Sequence, residues 1–267
     1  MSLLGTLTTS VSALDSFTAG LDTIGNNIAN INTSGFKSSS VSFADTFSGL
    51  GTQVAATNTS FAQGALNSTG IPTNMGISGN GFFIVQDPSS GSVYATRDGT
   101  FSLDANGYLV NNEGYRVMGF TGGSAGAAPA TLGDIKLGTP PNGATLQSVA
   151  VNATGGIIET YSDGSQATTN QVLLQGFDNP AALTSQGNNL YANMSAAGPQ
   201  TSTLGATNAP GQSGLGIVQS GTLEQSNVDL TQEFSDMITI QRAFEANARL
   251  ITISDTVLED VVNMKTH

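Results

Sequence analysis

The chain has no cysteine and no tryptophan, and its single histidine is the last residue, His267. Without cysteine it has no disulfide framework, no thiolate chemistry and no cysteine-ligated metal. A lone terminal histidine leaves catalytic triads and histidine-based metal sites without a candidate member. The sequence therefore predicts a protein that is not an enzyme, with no catalytic residue, metal site or cofactor.

Basic residues are also scarce, with 7 Lys plus Arg against 19 Asp plus Glu and a formal net charge of −12. Nucleic acids and anionic membrane surfaces are bound through clustered Lys and Arg, so neither is an expected partner. No apolar run approaches the roughly 18 residues that cross a bilayer, which predicts no membrane insertion. The N-terminus lacks the charged and apolar regions of a signal peptide, so export would need a route without a cleaved signal.

The sequence does contain a long heptad series near its C-terminus. Neither Pro nor Gly interrupts it, and Asp229 followed by Gln232 predicts a capped helix start. Such a helix spans roughly 50 Å, which is longer than a small domain can cover. Its polar positions, Gln241 and Asp255, are expected to set the register of packing. The apolar series comprises Leu230, Phe234, Met237, Phe244, Ile251, Leu258 and Val262.

A second heptad series begins the chain. It comprises Leu4, Leu7, Val11, Leu14, Leu21 and Ile28. Helix propensity is poor here, because Gly5, Gly20 and Gly25 each cost about 1 kcal/mol relative to Ala. We expect this segment to order only when it packs against a partner. The alternative is an ordinary amphipathic helix that docks on its own domain.

Between the two series the apolar period changes from helical spacing to two. Residues 71–197 contain short apolar strands separated by turn dipeptides such as Asn106-Gly107 and Asp163-Gly164, which predicts a β-rich domain of sandwich or barrel type. Residues 31–70 and 198–228 are rich in Ser, Thr, Gly and Asn and are predicted to be extended linkers.

The predicted fold class is therefore α+β. Helix 1–30 and helix 229–267 pair as an antiparallel coiled coil and flank an inserted all-β domain. The predicted subunit interface is the two apolar series together.

Other motifs are weak. Asp104 begins a segment like a calcium loop, but Gly107 falls at the wrong position and no glutamate completes it, so a hairpin turn is expected. Arg242 and Arg249 share a helix face with Glu245. Pairing within the helix is the simpler interpretation, and pairing between subunits is the alternative.

Two motifs, one at each end of the chain, carry a family resemblance. The first lies between Asp22 and Lys37, and its residues are Asn26, Asn27, Asn30, Thr33, Gly35 and Phe36. The second begins at Gly221, and its residues are Ser226, Asn227, Val228, Gln241 and Arg242. Together with the middle segments 80–83 and 94–101, they resemble the bacterial flagellar rod and hook axial proteins.

Within that family, residues 42–47 and 226–230 are most similar to the hook protein, in a short form without an outer domain. The resemblance implies a structural subunit that polymerises into the tubular hook, which joins rod to filament and transmits torque. The distal rod of the basal body is the alternative.

The implied partners are further copies of the chain, the neighbouring axial proteins of the rod, hook–filament junction and hook cap, and the flagellar type III export apparatus. The implied location is the extracellular hook or the periplasm-spanning basal body. A secreted adhesin-like binding module and a hydrolase that uses turn carboxylates are the other classes.

Overall fold

The computed structural model describes residues 3–46, 51–122, 131–137, 144–201 and 204–265. Of the predicted positions, the side chain of Leu4, residue Phe47 and the ends of the chain lie outside this description. Helix α1 (Leu3–Ala29) begins the fold, helix α2 (Leu230–Lys265) ends it, and the middle is mostly β-structure. The α+β class with terminal helices is thereby confirmed.

The chain divides into two compact units. Unit 1 takes its residues from 1–31, 37–60 and 228–267, whereas unit 2 takes them from 32–36 and 61–227. The inserted arrangement follows from this division, because unit 1 is built from both ends of the chain and unit 2 from its middle.

Helix α2 begins where the capping signal predicts. The Asp229 carboxylate accepts hydrogen bonds from the backbone N–H groups of Thr231 (2.8 Å) and Gln232 (3.4 Å). The Gln232 side chain donates to Asp236 at 3.0 Å instead of reaching back to the cap. Asp229 is therefore the N-cap, without the reciprocal bond of a full capping box.

Unit 1 also contains a hairpin of β1 (Ser39–Asp45) and β2 (Thr52–Thr59), paired antiparallel with a register shift at Ser42/Phe43. It packs on α1, where the rings of Phe17 and Phe43 meet edge to face at 6.0 Å. The composition predicted a linker here. The strands escaped notice because most of their residues are polar and exposed, so backbone pairing leaves no apolar alternation.

Unit 2 is built from short strands. They are β3 (Leu66–Ser68), β4 (Met75–Ser78), β5 (Phe82–Gln86), β6 (Val93–Thr96), β7 (Ser102–Leu103), β8 (Leu109–Val110), β9 (Arg116–Thr121), β10 (Thr131–Asp134), β11 (Leu146–Val151), β12 (Gly156–Tyr161), β13 (Gln166–Val172), β14 (Leu174–Gln175), β15 (Thr184–Gly187), β16 (Leu190–Ala192), β17 (Ile217–Ser220) and β18 (Thr222–Glu224).

The largest sheet of unit 2 runs in the order β11-β12-β13-β9-β5-β6-β16-β15. Strand β5 is buried on both faces. Phe83 and Val85 enter one apolar cluster, whereas Phe82 and Ile84 enter a second. A continuous apolar run is what a strand covered on both sides requires, and residues 82–85 were predicted to be a strand on that signal.

Two further ladders join segments that the composition predicted to be linkers. Strand β17 pairs antiparallel with β4, and β18 pairs antiparallel with β3, with Leu223 opposite Asn67. Strands β3, β17 and β18 thus take part in unit 2 through backbone hydrogen bonds, although each lies in a segment predicted to be a linker. β10 ends at Asp134, and Ile135 and Leu137 are buried just beyond it.

Candidate assembly interface

Helices α1 and α2 pack side by side in unit 1 and run antiparallel. The Asn27 amide donates to the Glu233 carboxylate at 2.9 Å. A methyl group at Gly20 would lie 2.9 Å from Cδ1 of Ile240. Residue 27 therefore lies beside 233 and residue 20 beside 240. The same register places the start of α1 near residue 257, so the last two turns of α2 extend beyond α1.

The buried face of α1 is made of small and polar side chains, with one larger apolar residue. It comprises Ser10, Ala13, Ser16, Gly20, Ile24 and Asn27. Small side chains allow two helix backbones to approach closely, but they bury little apolar area. Packing of α1 within one copy therefore depends on shape more than on hydrophobic burial.

The predicted apolar series of α1 lies beside this buried face. Leu7, Leu14, Leu21 and Ile28 are partly buried, and Val11 is 50% exposed. The two stripes have the same helical spacing. The spacing of the leucines in the sequence therefore does not indicate which of the two stripes of α1 faces α2.

The predicted series of α2 divides in two. Met237, Phe244, Ile251 and Leu258 are partly buried on the side that carries Glu233 and Ile240. By contrast, Leu230, Phe234 and Val262 are 39%, 49% and 60% exposed. The polar positions Gln241 and Asp255 are exposed as well.

Glu233 lies where α2 meets Asn27. Burial raises the pKa of the Glu233 carboxyl, the Asn27 hydrogen bond lowers it, and the nearby Asp236 charge raises it again. Asn27 is itself buried, and its side chain also bonds both backbone groups of Ser39, at 2.8 and 3.0 Å. This motif asparagine thus ties α1 to both α2 and β1.

Two basic residues of α2, Arg242 and Arg249, lie on its outer side. Arg242 Nη1 lies 3.1 Å from Glu245 Oε2, and both side chains are largely exposed. The predicted pair within the helix is present. Such exposed pairs contribute about 0.3–0.5 kcal/mol. Arg249 has no side-chain hydrogen bond or ion pair in the part of the chain that the structure describes.

A second group of contacts lies inside unit 2, around Glu224 of the C-terminal motif. Its backbone carbonyl accepts from the Gly35 N–H at 2.8 Å, and its carboxylate accepts from the Gly64 N–H at 2.9 Å. The second carboxylate oxygen lies 3.2 Å from Arg97 Nη1. Three segments far apart in sequence are thereby joined at one buried glutamate, through its backbone carbonyl and its carboxylate, and we call this cluster the motif junction.

Arg97 is almost fully buried in the motif junction. Its guanidinium lies 5.0 Å from the centroid of the Phe82 ring. Burial lowers the pKa of Arg97, and the Glu224 charge partly restores it. A buried pair of this kind is costly to break, because removal of one partner leaves an uncompensated charge. Both residues lie within the family motifs, but the sequence pattern did not predict that they pair.

Gly35 occupies a position that only glycine fits. Its φ is +70°, and an added Cβ would lie 2.5 Å from the backbone nitrogen of Asp98. Nearby, the Asn189 amide donates to the Ser34 carbonyl at 2.7 Å. The chain after α1 is thus held against the loop that carries Arg97 and Asp98.

The remaining motif residues mainly support the backbone. The Asn30 side chain donates to the Asn26 carbonyl at 2.9 Å, and Asn227 donates to the Ala62 carbonyl at 3.1 Å. The Thr33 carbonyl accepts from the Phe36 N–H at 3.3 Å. Phe36, Ser226 and Val228 are partly buried.

The turn carboxylates serve their own loops. Asp87 accepts bonds from Ser89 and Ser90, which lower its pKa to about 2. Asp104 accepts from the N–H groups of Asn106 and Tyr108, as a hairpin turn requires. Carboxylates held ionised in this way are unsuited to act as general acids near neutral pH.

Within the described residues no group of three or more metal-ligating side chains comes together. None of the described helices has the length and apolar character needed to cross a membrane.

Three protein-family models match the chain. Residues 7–37 match the model described as flagella basal body rod protein. Residues 76–159 match the flagellar hook protein FlgE/F/G D1 domain, and residues 219–264 match the flagellar basal body rod FlgEFG protein C-terminal model. The matches fall on α1, on much of unit 2, and on β18 with α2.

Similar proteins cover nearly the whole chain. The flagellar basal-body rod protein FlgG of Bacillus subtilis (strain 168) is 36% identical over 284 residues, covering 98% of this chain and 100% of that protein. FlgG of Borreliella burgdorferi is 31% identical, with 97% and 98% covered. The flagellar hook protein FlgE of Salmonella typhimurium is 26% identical over 403 residues, with 96% and 98% covered.

Proposed function

The chain belongs to the flagellar rod and hook axial protein family, and we propose that it is a subunit of the distal rod. The observation that carries this choice is length. The alignment with FlgG of Bacillus subtilis runs over 284 residues and spans that protein completely. The alignment with the Salmonella hook protein needs 403 positions for a chain of 267 residues, so well over one hundred positions have no counterpart here.

A polymer accounts for the apolar residues that α2 leaves exposed. Leu250, Ile253, Val257 and Val261 are between 39% and 58% exposed and recur every three or four residues. Solvent-facing apolar stripes of this length are typical of surfaces that another chain covers. We propose that further copies of the chain cover them, so that α1 and α2 form the coiled inner layer of a tube.

In this proposal the predicted interface residues act between copies. The exposed Leu230, Phe234 and Val262 and the half-exposed Val11 are the side chains that gain most from a neighbour. Head-to-tail contacts that do not close on themselves generate a helical filament. The same polymer would meet neighbouring axial proteins at its two ends. Its subunits would reach the assembly site through the flagellar export apparatus, without a cleaved signal.

The hook is the second candidate. The observation in its favour is residues 42–47, which resemble the segment after the first motif in hook proteins. These residues fall mainly on β1, in the hairpin of unit 1.

Electron cryomicroscopy of the purified, concentrated protein tests the proposal. We expect straight tubes, whereas curved tubes would favour the hook. Removal of residues 1–30 or of residues 235–267 should abolish tube formation, because each deletion removes half of the helical layer.

Unit 2 should stay folded in either deletion, since it takes no residue from 1–30 or 235–267. Its near-ultraviolet circular dichroism provides the control. A protein that remains monomeric in sedimentation at high concentration would support the adhesin-like class. Intact assembly after either deletion would contradict the proposed role of the helices.

A further inference from the structure

Two exposed stripes, one on each terminal helix, have matching spacing. The α1 stripe comprises residues 11, 15, 18, 22, 25 and 29, and the α2 stripe comprises residues 235, 239, 242, 246, 249 and 253, all of them exposed. At 3.6 residues per turn, the α1 stripe lies on the side of its helix opposite Gly20, and the α2 stripe faces away from Ile240 except for Thr239 at its edge. Most of both stripes is therefore left uncovered by the other helix of the same copy.

The charges of the stripes are complementary. The α1 stripe carries two carboxylates, Asp15 and Asp22, and no basic residue. The α2 stripe carries two guanidinium groups, Arg242 and Arg249, and no acidic residue. Each pair is seven residues apart, which is about 10.5 Å along a helix. The basic pair stands out in a chain whose net charge is −12.

These charges are available for a partner. In the described chain, the side chains of Asp15, Asp22 and Arg249 make no hydrogen bond or ion pair. Arg242 contacts Glu245 in an exposed i,i+3 pair, which costs little to exchange.

One antiparallel alignment satisfies both charge pairs. Placing Asp15 opposite Arg249 also places Asp22 opposite Arg242. The same alignment sets Val11, 50% exposed, opposite Ile253, 58% exposed. The other aligned residues are small enough for close helix packing. They are Thr18 with Ala246, Gly25 with Thr239, and Ala29 with Ser235.

We propose that the α1 stripe of one copy packs antiparallel on the α2 stripe of the next, with ion pairs Asp15–Arg249 and Asp22–Arg242 across the boundary. This inference rests on the proposed polymer and names the surface that builds it. Each copy offers one stripe to each neighbour, so the contact is heterologous and repeats from copy to copy.

The alignment also sets a stagger between neighbours. Within one copy Gly20 lies beside Ile240. Across the boundary, the alignment of Asp22 with Arg242 brings position 20 beside position 244. The neighbour is therefore displaced by four residues along α2, which is about 6 Å.

Charge reversal in two matched variants tests the pairing. Asp15→Arg/Asp22→Arg makes both stripes positive, and Arg242→Glu/Arg249→Glu makes both negative. Each variant alone should need about a tenfold higher protein concentration to form tubes, because like charges then face each other at every contact. An equimolar mixture should assemble near the wild-type concentration, since each variant supplies the stripe that the other lacks.

Two controls separate this effect from misfolding. Glu113→Arg reverses an exposed charge in unit 2 and should leave the assembly concentration unchanged. Circular dichroism of each monomer checks its helix content. If a reversed variant loses helix, the milder Asp15→Asn/Asp22→Asn and Arg242→Gln/Arg249→Gln replace it, each with an expected rise of about threefold.

The possible outcomes separate a failure of the stripe pairing from a failure of the proposed polymer. Wild-type protein that forms no tubes would overturn the proposed function and this contact together. Wild-type tubes with either reversed variant assembling equally well would overturn the stripe pairing alone. A mixture that assembles no better than its two components would do the same.

Discussion

Gly35 and Gly70 share a backbone conformation but not their surroundings. Both have φ of +70°, in the left-handed region where side chains are disfavoured. A Cβ at Gly35 would lie 2.5 Å from the backbone nitrogen of Asp98, whereas a Cβ at Gly70 would meet nothing within 4 Å. The pair therefore separates the conformational role of a glycine from its role in close packing.

We predict that Gly35→Ala destabilises unit 2 much more than Gly70→Ala. The Gly70 variant should lower the free energy of unfolding by about 1 kcal/mol, the cost of a left-handed alanine. The Gly35 variant should lower it by roughly 3 kcal/mol or more, because the backbone at Asp98 must also move. Urea unfolding followed by circular dichroism measures both. Equal losses would show that Gly35 is required for its dihedral angle alone.

At the scale of residues, the sequence indicated which residues belong to the motifs but not which contacts they make. Gly35 and Asn27 were marked as motif residues, and the structure shows the contacts that demand them. The pairing of Arg97 with Glu224 was missed, because the two residues lie 127 positions apart and only the fold brings them together. The available signal was an arginine inside a motif segment of a chain that has only 7 Lys plus Arg.

At the scale of elements, the two helices differ in what holds them. The buried face of α1 is mostly Ser, Ala and Gly, whereas α2 presents Met237, Phe244, Ile251 and Leu258 toward its partner. The sequence predicted both helices and the start of α2 from periodicity and capping. It did not predict which stripe of α1 faces inward, since small residues leave no hydrophobic signal.

We predict that α1 is the less protected helix in the monomer and becomes ordered on assembly. Amide hydrogens of residues 10–28 should exchange faster than those of residues 237–258, because the packing of α1 buries less apolar area. In tubes both segments should be protected. Hydrogen exchange with mass spectrometry measures the difference.

Gly25→Ala serves as the companion variant. Gly25 is exposed and a Cβ there would meet nothing within 4 Å, so alanine should slow exchange in α1 through helix propensity alone. Strong protection across residues 4–28 in the wild-type monomer would contradict the prediction that α1 orders last.

A second difference between prediction and structure, at the scale of elements, is that several short or polar strands lie where linkers were predicted. Strands β1, β2, β3 and β18 were predicted to be linker because β1 and β2 are mostly polar and exposed, whereas β3 and β18 are only three residues long, so none shows a clear apolar alternation. Their pairing depends on backbone hydrogen bonds to partners that sequence patterns do not specify. The strands at 82–86 and 156–161, by contrast, contain apolar residues and fall within the β-rich domain that the sequence predicted over residues 71–197.

At the scale of the whole molecule, charge opposes assembly. Each copy carries a formal charge of −12, so the close packing of many copies is resisted by mutual repulsion. The few specific pairs proposed between stripes act against this larger background.

We predict that added salt promotes assembly of the wild-type protein. Raising sodium chloride from 10 to 150 mM shortens the Debye length from about 30 to about 8 Å, which screens repulsion between whole subunits more than contacts at hydrogen-bond distance. The concentration needed for tubes, measured by sedimentation, should therefore fall. An uncharged osmolyte such as sucrose, matched in osmolality, is the control. If the protein concentration needed for tubes rose with added salt, attractive ion pairs between copies would outweigh the repulsion between their net charges.

The hydrogen bond between Gly35 and Glu224 shortens the loop that must close before the two helices can pair. Asn27 and Glu233, which join the two helices, are 206 residues apart in sequence. Closing a flexible loop of that length costs about 5 kcal/mol of chain entropy before the contact returns anything. Once unit 2 has folded, Gly35 and Glu224 are already held together, and the effective loop between the helices shrinks to a few residues on either side. We therefore expect the terminal helices to pair more readily once the middle of the chain has folded. The two helices are therefore distant in sequence, but the loop that remains to be closed between them is short once unit 2 has folded.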